Sequence, residues 1–405
     1  MYSELHCHSY YSFHDGASSL EELLVQARNL GYSGLAVTDH DNLCGAMRFN
    51  KLARAMGVHG VVGAEITIRG SNEGKGSHHL TLLARDRKGY GNLCRLVTAA
   101  HIPNQRNEPE LDSALLAEHA EGLIALSGCP RGQVPQAVAE SRSDEARLLA
   151  KQYIEWFGVK NYYLELQQNL AHGDTERNRR LVDLGRELGI GVVATGNVHY
   201  HVRERHQLQD ALVAIKHCKS LEESHLERRP NSEFYLRPCQ ELNSLFAEVP
   251  EALVNTVEIA ERCALDLTTD LNYAFPDYKV PEGYTPDTYL EKLCLDAAVR
   301  RYGSVTSEVR ARLDAEFRLI KKFNLAGFLL MYHDVIKVGR EAMIDLGLTD
   351  PSLSLEEDPP GRGRGSSVAL LAGYLIGLSH IDPLQYDLSL DRFLPEDMLV
   401  NVPDI

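Results

Sequence analysis

The sequence predicts an α/β protein: a closed or nearly closed barrel of βα units, followed by a mainly helical segment. Three observations predict it. Seven short apolar stretches of strand-like composition recur over the first 200 residues, helical patterns separate most of them, and beyond about residue 200 the pattern turns mainly helical. Alternating βα units imply parallel strands covered by helices. An open sheet of the same units remains the alternative.

The expected strands are Ser3–Cys7, Gly34–Thr38, Val61–Ile66, His79–Ala84, Leu123–Ser127, Tyr162–Leu166 and Val192–Thr195. They are short, rich in Val, Leu, Ile and Ala, and several are bounded by Gly or Asn. The first clear helix, Leu20–Leu30, places Leu20, Leu23, Leu24 and Ala27 at helical spacing after Ser18 or Ser19, either of which suits an N-cap. Asp144–Phe157 and Thr175–Leu188 follow the same pattern. Val202–Lys216, Cys239–Phe246 and Glu251–Cys263 begin the helical part. The proline-rich stretch FPDYKVPEGYTP (Phe275–Pro286) marks a boundary. Beyond it, an amphipathic helix is expected at Ser307–Phe323 and helical structure around Leu330–Met343. The domains predicted are 1–270, a linker 271–286, and 287–405.

A chain of 405 residues is long enough for two or more domains, and 44% hydrophobic with 24% charged residues is ordinary globular composition. There is no run of about 18 apolar residues, so no membrane span is expected. Glu4, His6 and His8 stand where a signal peptide would be apolar. The eight cysteines are scattered without a CxxC pair, which suits reduced thiols and a cytoplasmic location. A net charge of −15 argues against coating nucleic acid over the whole surface, while leaving room for a local basic groove. Basic residues cluster from Arg300 to Lys322 and at Arg362 and Arg364. A solvated helix face accounts for the first cluster equally well.

In a βα barrel, function gathers at the C-terminal ends of the strands. The first strand ends in His6 and His8, followed by His14 and Asp15. The second leads to Asp39 and His40, the third to Glu65, the fifth to Cys129, and the seventh to Asn197 and His199. The fourth differs, since His78 and His79 stand at its start. Imidazole, carboxylate and thiolate are ligands for Zn²⁺, Mn²⁺ or Fe²⁺. Nine positions qualify: His6, His8, Asp15, His40, Glu65, His79, Cys129, Asn197 and His199. Nine exceed the needs of one tetrahedral ion, so two or three ions are expected, with Glu65 as a possible bridge. Such a site generates hydroxide and clamps phosphoryl oxygens, which fits phosphoester hydrolysis.

The phrases HCHS, TDHDN, GAE, the HL of HHLTLLARD, SGC and NVHY, in this order over roughly residues 1–265, resemble the polymerase-and-histidinol-phosphatase (PHP) domain. The resemblance implies a distorted seven-stranded βα barrel and a trinuclear metal site. Its ligands would be His6, His8, Asp15, His40, Glu65, His79, Cys129 and His199. Family members with an intact site carry Asp where this chain has Asn197, and a neutral amide is the poorer ligand for a hard cation. His14 matches only a position used by stand-alone phosphatases, and His78 matches none. SFHDGASSLEELL, FYLRPCQEL and EALVNTVEIAERC resemble the PHP domain that begins the bacterial DNA polymerase III alpha subunit, with DGAS and NVHY nearer its error-prone relative.

The segment RGRGSSVALLAGYL sets Gly and Ser ahead of an apolar helical run, where backbone N–H groups can hold phosphate. No Lys follows the glycines, so it is not a P-loop, and a plain Gly-rich loop capped by Ser366 or Ser367 is the alternative from this stretch alone. With RLDAEFRLIKKFNLAGFLLMYHDVI before it and YLIGLSHIDPLQYDLSLDRFL and VPDI after it, it resembles the start of the palm in the same polymerases. The resemblance implies that Arg364, Gly365 and Ser366 hold a nucleotide triphosphate. It also implies that the Mg²⁺-binding carboxylates of the complete polymerase lie past Asp404 and Ile405, so the chain as given is not expected to polymerise DNA. The partners implied for the whole protein are primer-template DNA, dNTP and other replisome or translesion subunits. Three readings follow: the front of a bacterial replicative or error-prone polymerase, whose barrel either proofreads as a metal-dependent 3′–5′ exonuclease or survives as a structural scaffold, a free-standing phosphoesterase, or a module whose metals only hold the fold. The palm-like segment after Pro286 favours the first.

Overall fold

The structure is a computed structural model that describes residues 1–70, 76–105, 108–271, 278–355, 357–361 and 368–390. It divides into two compact units, Met1–Asn272 and Tyr273–Ile405.

The first unit carries all seven expected strands: β1 (Ser3–Glu4), β2 (Gly34–Val37), β3 (His59–Ile68), β4 (His78–Ala84), β5 (Leu123–Leu126), β6 (Tyr162–Gln167) and β7 (Val192–Thr195). Their order in the sheet is their order in the chain. The sheet nearly closes. Beyond the ends of β1 and β7, His8 N–H donates to the Val198 carbonyl at 2.8 Å, and Val198 N–H donates to the His6 carbonyl at 2.9 Å.

The expectation of parallel strands throughout fails at β4, which runs antiparallel to both β3 and β5. The reason is the length of the connection. A parallel return needs a crossover of about a dozen residues or more, and only residues 69–77 separate β3 from β4. The reversal has a consequence for the rim. It pairs His79 with Thr67 and His78 with Ile68, so the start of β4 lies where the other strands end. That is why His79, at a strand start, can join side chains from strand ends.

Helices cover the sheet as their patterns require. Leu20–Asn29 buries Leu20, Leu23, Leu24 and Ala27. Its cap is Ser19, which accepts from Glu22 N–H while the Glu22 carboxylate accepts from Ser19 N–H. Ser18 instead bonds His201. The helix expected from Val202 is a 3-10 turn at Arg203–Arg205 and then an α-helix at His206–Lys216.

Helix Glu251–Arg262 closes the barrel at the strand starts. Thr256 Oγ1 accepts from Ser3 N–H at 3.1 Å, Asn255 Nδ2 donates to the Val192 carbonyl at 2.8 Å, and His59 Nε2 bonds the Ala260 carbonyl at 2.7 Å. Its Ile259 and Ala260 pack on Leu5, Ala36, Val61, Leu83 and Val193 in the barrel interior. One end is thus plugged with apolar side chains, and the other is left to polar ones.

Among its described residues, the second unit is helical: Pro286–Tyr302, Ser307–Lys322, Ala326–Asp345 and Leu371–Leu375. The first was not singled out by its apolar spacing. Its signal was the cap, Thr285 followed by Pro286 at the first helical position. These helices share a core that includes Leu290, Leu313, Leu329, Leu330 and Leu375. Part of the Arg300–Lys322 cluster is spent on ion pairs: Arg310 with Asp314 and Glu291, and Arg312 with Glu316.

Glu316 is fully buried. It accepts from Leu371 N–H, Ala372 N–H and Arg312 Nε, each at 2.8 Å. Burial lifts its carboxyl above the ordinary range despite these bonds. Replacing it by Ala leaves all three donors without their acceptor. Glu316→Ala should therefore lower the stability of this unit by about 3 to 5 kcal/mol, measured by urea unfolding; a loss under about 1 kcal/mol would contradict the role. Arg364, Gly365 and Ser366, expected to hold a triphosphate, lie outside the described residues, as do Asp404 and Ile405.

Candidate metal centre

The open rim is assembled by hydrogen bonds between successive strand ends. Thr38 N–H donates to the Cys7 carbonyl at 2.8 Å, and Glu65 N–H to the Thr38 and Asp39 carbonyls at 3.3 Å. Asp39 accepts from Ser9 N–H, Ser9 Oγ and Ser12 Oγ at 2.7 to 2.8 Å, which ties the loop after β1 to the loop after β2. Gly16 allows this loop to fold back, because a Cβ there would sit 1.9 Å from the Ser9 carbonyl oxygen. Gly128, at φ +87°, brings the loop carrying Cys129 against the His79 backbone in the same way.

Glu65 is the hub. It is 1% exposed. Its Oε2 lies 3.0 Å from His40 Nδ1, 3.0 Å from His79 Nδ1 and 3.6 Å from His8 Nε2. Its Oε1 lies 3.3 Å from His6 Nε2 yet makes no hydrogen bond. His6 Nε2 and His8 Nε2 face each other at 3.2 Å. Three triads have donor atoms within 4.8 Å of one another: His6, His8 and Glu65; His40, Glu65 and His79; His8, His40 and His199. Asp15 Oδ2 is 2.9 Å from His40 Nε2 and 3.3 Å from His199 Nε2. Cys129 Sγ is 3.4 Å from His79 Nδ1.

Three of the inner imidazoles, His6, His8 and His199, are aimed by a partner on the far nitrogen. His6 Nδ1 donates to Glu165 Oε1 at 2.6 Å, and His199 Nδ1 donates to the Asn197 carbonyl at 2.7 Å. Ser12 Oγ, already donating to Asp39, accepts from His8 Nδ1 at 3.1 Å. Such partners fix the tautomer and leave Nε2 as the ligand atom.

The residues present fit divalent ions. Outward imidazole nitrogens converge on one carboxylate, and the buried Asn197 Oδ1 has no hydrogen-bond partner. Eight of the nine expected positions thus gather in direct contact, and Asn197 lines the same cavity of about 280 Å³. His14 lines its edge but is exposed, and its backbone sits at φ +60°. His78 faces a different cavity.

Sequence patterning missed two residues. Glu165 orients His6 from β6, and its signal was a lone carboxylate inside the apolar run YYLELQ. Arg229 reaches Asp15 and His199 from the loop after helix His206–Lys216, and nothing local marks it.

Electrostatics follow the contacts. Burial works to lower His6, but Glu165 and Glu65 outweigh it and lift it to about 10. Glu65 and Asp15 likewise lift His40 to about 9 against burial. Burial, then His40 and His199, hold His8 well below its usual value. Burial, then Arg229, push His199 down to about 4. Burial and then Glu65 keep the Cys129 thiol well above its usual range. Against burial, the surrounding imidazoles hold Glu65 well below the carboxylate range, and His199 and Arg229 do the same for Asp15.

A nearly closed seven-stranded barrel with a His/Glu cluster on one rim is a PHP architecture, and residues 4–169 match the family described as PHP domain. Residues 288–405 match the family described as Bacterial DNA polymerase III alpha NTPase domain. The chain is 36% identical to the error-prone DNA polymerase of Symbiobacterium thermophilum over 408 residues, 96% of this chain and 35% of that protein. It is 34% identical to DNA polymerase III subunit alpha of Treponema pallidum, over 99% of this chain and 34% of that protein. It is also 34% identical to the error-prone DNA polymerase of Mycobacterium tuberculosis, over 97% and 35%. The chain belongs to the family of bacterial DNA polymerase III alpha subunits and error-prone DNA polymerases, and spans about a third of the length of these relatives.

Proposed function

We propose that the rim is a divalent metal centre that hydrolyses phosphodiester bonds, and that its substrate is the 3′ end of single-stranded DNA. The observation that carries this reading is Glu65, one buried carboxylate shared between two ligand triads. His6, His8 and Glu65 would hold one ion and His40, Glu65 and His79 another, with Asp15, Cys129, Asn197 and His199 around them. The nitrogen-rich donor set suits Zn²⁺, Mn²⁺ or Fe²⁺. Bound ions of this kind supply hydroxide at neutral pH and neutralise charge developing on phosphoryl oxygens.

The chain's own residues do the rest. Glu165, Ser12 and the Asn197 carbonyl hold three imidazoles in one tautomer. Arg131, Lys216, Arg228 and Arg229 line the cavity beside Asp15, Glu65 and Glu227, and offer cationic groups to a phosphate backbone in a chain of net charge −15. The relatives are named as DNA polymerases, which supports reading this barrel as the front of such an enzyme. There the second unit would begin the palm, with Arg364, Gly365 and Ser366 at the nucleotide's phosphates. Mg²⁺, primer-template DNA, dNTP and further replisome or translesion subunits, in the cytoplasm, would complete the activity. The domain limits we assign are 1–270, 271–286 and 287–405.

The test is degradation of 3′-labelled and 5′-labelled single-stranded DNA by the purified chain. Mn²⁺ or Zn²⁺ should support loss from the 3′ end, EDTA should stop it, and His8→Ala should abolish it. Full activity in His8→Ala would refute a catalytic rim.

A further inference from the structure

The three triads are not equivalent, because one corner already contains a cation. Arg229 Nη2 lies 3.3 Å from Asp15 Oδ2 and 3.4 Å from Asp15 Oδ1, and it is hydrogen-bonded to His199 Nε2. His199 has no other nitrogen to offer, since Nδ1 is held by the Asn197 carbonyl. The guanidinium therefore takes the only free lone pair of His199 and contacts both oxygens of Asp15, which also meet His40 Nε2 and Gln209 Nε2.

The arginine is built into this position. Its Cζ stands 4.9 Å above the Phe234 ring, a cation–π contact, and the Phe234 carbonyl accepts from His199 N–H at 2.8 Å. One residue thus seats both the guanidinium and the imidazole it meets. The charges agree. Among the described residues, Asp15 is the carboxylate that Arg229 contacts, and Asn197 is neutral. A single guanidinium, always protonated, balances Asp15. A dication added beside it would leave the corner with two uncompensated positive charges at contact distance. The two Glu65 triads have no such occupant among the described residues.

We propose that the Arg229 guanidinium is the resident cation of the Asp15–His199 corner, so that the centre loads ions at the two Glu65 triads only, and removing Arg229 opens a third site. The proposal rests on the metal-centre reading of the rim. It assigns His199 and Asp15 to holding Arg229 rather than an ion, and it leaves Arg229 as a fixed positive group on the cavity wall, where a scissile phosphate would lie.

Equilibrium dialysis of the purified chain against excess Mn²⁺, with metal counted by mass spectrometry, tests it. The wild type should bind two equivalents. Arg229→Met keeps an apolar stem on Phe234 and should bind three. Arg229→Lys keeps a cation there and should bind two. Three equivalents in the wild type would overturn the proposal without any variant, and so would an equal count in the wild type and Arg229→Met. The count also separates the two readings. Equal, non-zero numbers remove only this proposal, whereas a wild type that binds none removes the metal centre with it.

Discussion

Glu65→Gln is expected to strip the rim of its metal and, with it, of hydrolysis. The substitution keeps the side chain's volume but removes the charge on which His6, His8, His40 and His79 converge. Every ion at this rim would lose its shared anionic ligand. Removing one partner of a buried charge pair costs about 3 to 5 kcal/mol, which is between two and almost four orders of magnitude in affinity at about 1.4 kcal/mol per decade. The metal content of Glu65→Gln, measured after dialysis against Mn²⁺ at micromolar concentration, should fall to background, and nuclease activity should fall in parallel. A variant that retains its full metal content would show that Glu65 is a structural anion and not a bridge. Circular dichroism separates this outcome from unfolding, because the apolar plug at the other end of the barrel is untouched.

The second large effect is on pH. A ligand imidazole must be neutral, yet without metal His6 titrates at about 10 and His40 at about 9. Loading between pH 6 and 8 therefore expels about two protons from these imidazoles, with one more if Cys129 ligates as thiolate, and the association constant for full loading should rise at least about a hundredfold per pH unit. Calorimetry in buffers of different ionisation enthalpy reads the proton count directly. An affinity flat between pH 6 and 8, with no buffer dependence, would contradict the assignment of these two residues.

Stability of the metal-free chain has its own window. His6 and His40 have raised values, so their contribution is complete below about 6.5 and is lost as pH rises through about 9 to 10. Glu65 and Asp15 have depressed values, so theirs is complete above about 4.5 and is lost as pH falls below the ordinary carboxylate range. His8 and His199 have lowered values, so they cost stability as pH falls below about 6.5. This cluster therefore stabilises the metal-free barrel most near about pH 6.5, and added metal should move the optimum upward.

How far the molecule was legible in its sequence depends on the range of the interactions concerned. The seven strands and helices such as Leu20–Asn29, Ser143–Phe157, Asp174–Leu188 and Ser307–Lys322 were visible because apolar periodicity is local, whereas Ala46–Met56, Arg87–His101 and Pro286–Tyr302 were not named. The convergence of His6, His40, Glu65 and His199 was visible because strand ends of a βα barrel share a rim. The direction of β4 was not inferred, although the short connection after β3 encodes it. That single reversal explains why His79 stands at a strand start. Asp39 stands beside His40 but is not among the nine candidate ligands. The structure spends its carboxylate on Ser9 and Ser12, which hold the first loop in place. Glu165 and Arg229 escaped notice for a different reason. Their roles depend on which side chain they meet across the barrel, and that partner is 159 residues away for Glu165 and 30 for the Arg229–His199 pair.

The central claim is that Glu65 joins two metal sites at the open rim of the barrel. The most direct test is an anomalous difference map from crystals grown with Mn²⁺. It should show two peaks flanking the Glu65 carboxylate, one beside His6 and His8 and the other beside His40 and His79. A map with no peak at that carboxylate would contradict the account.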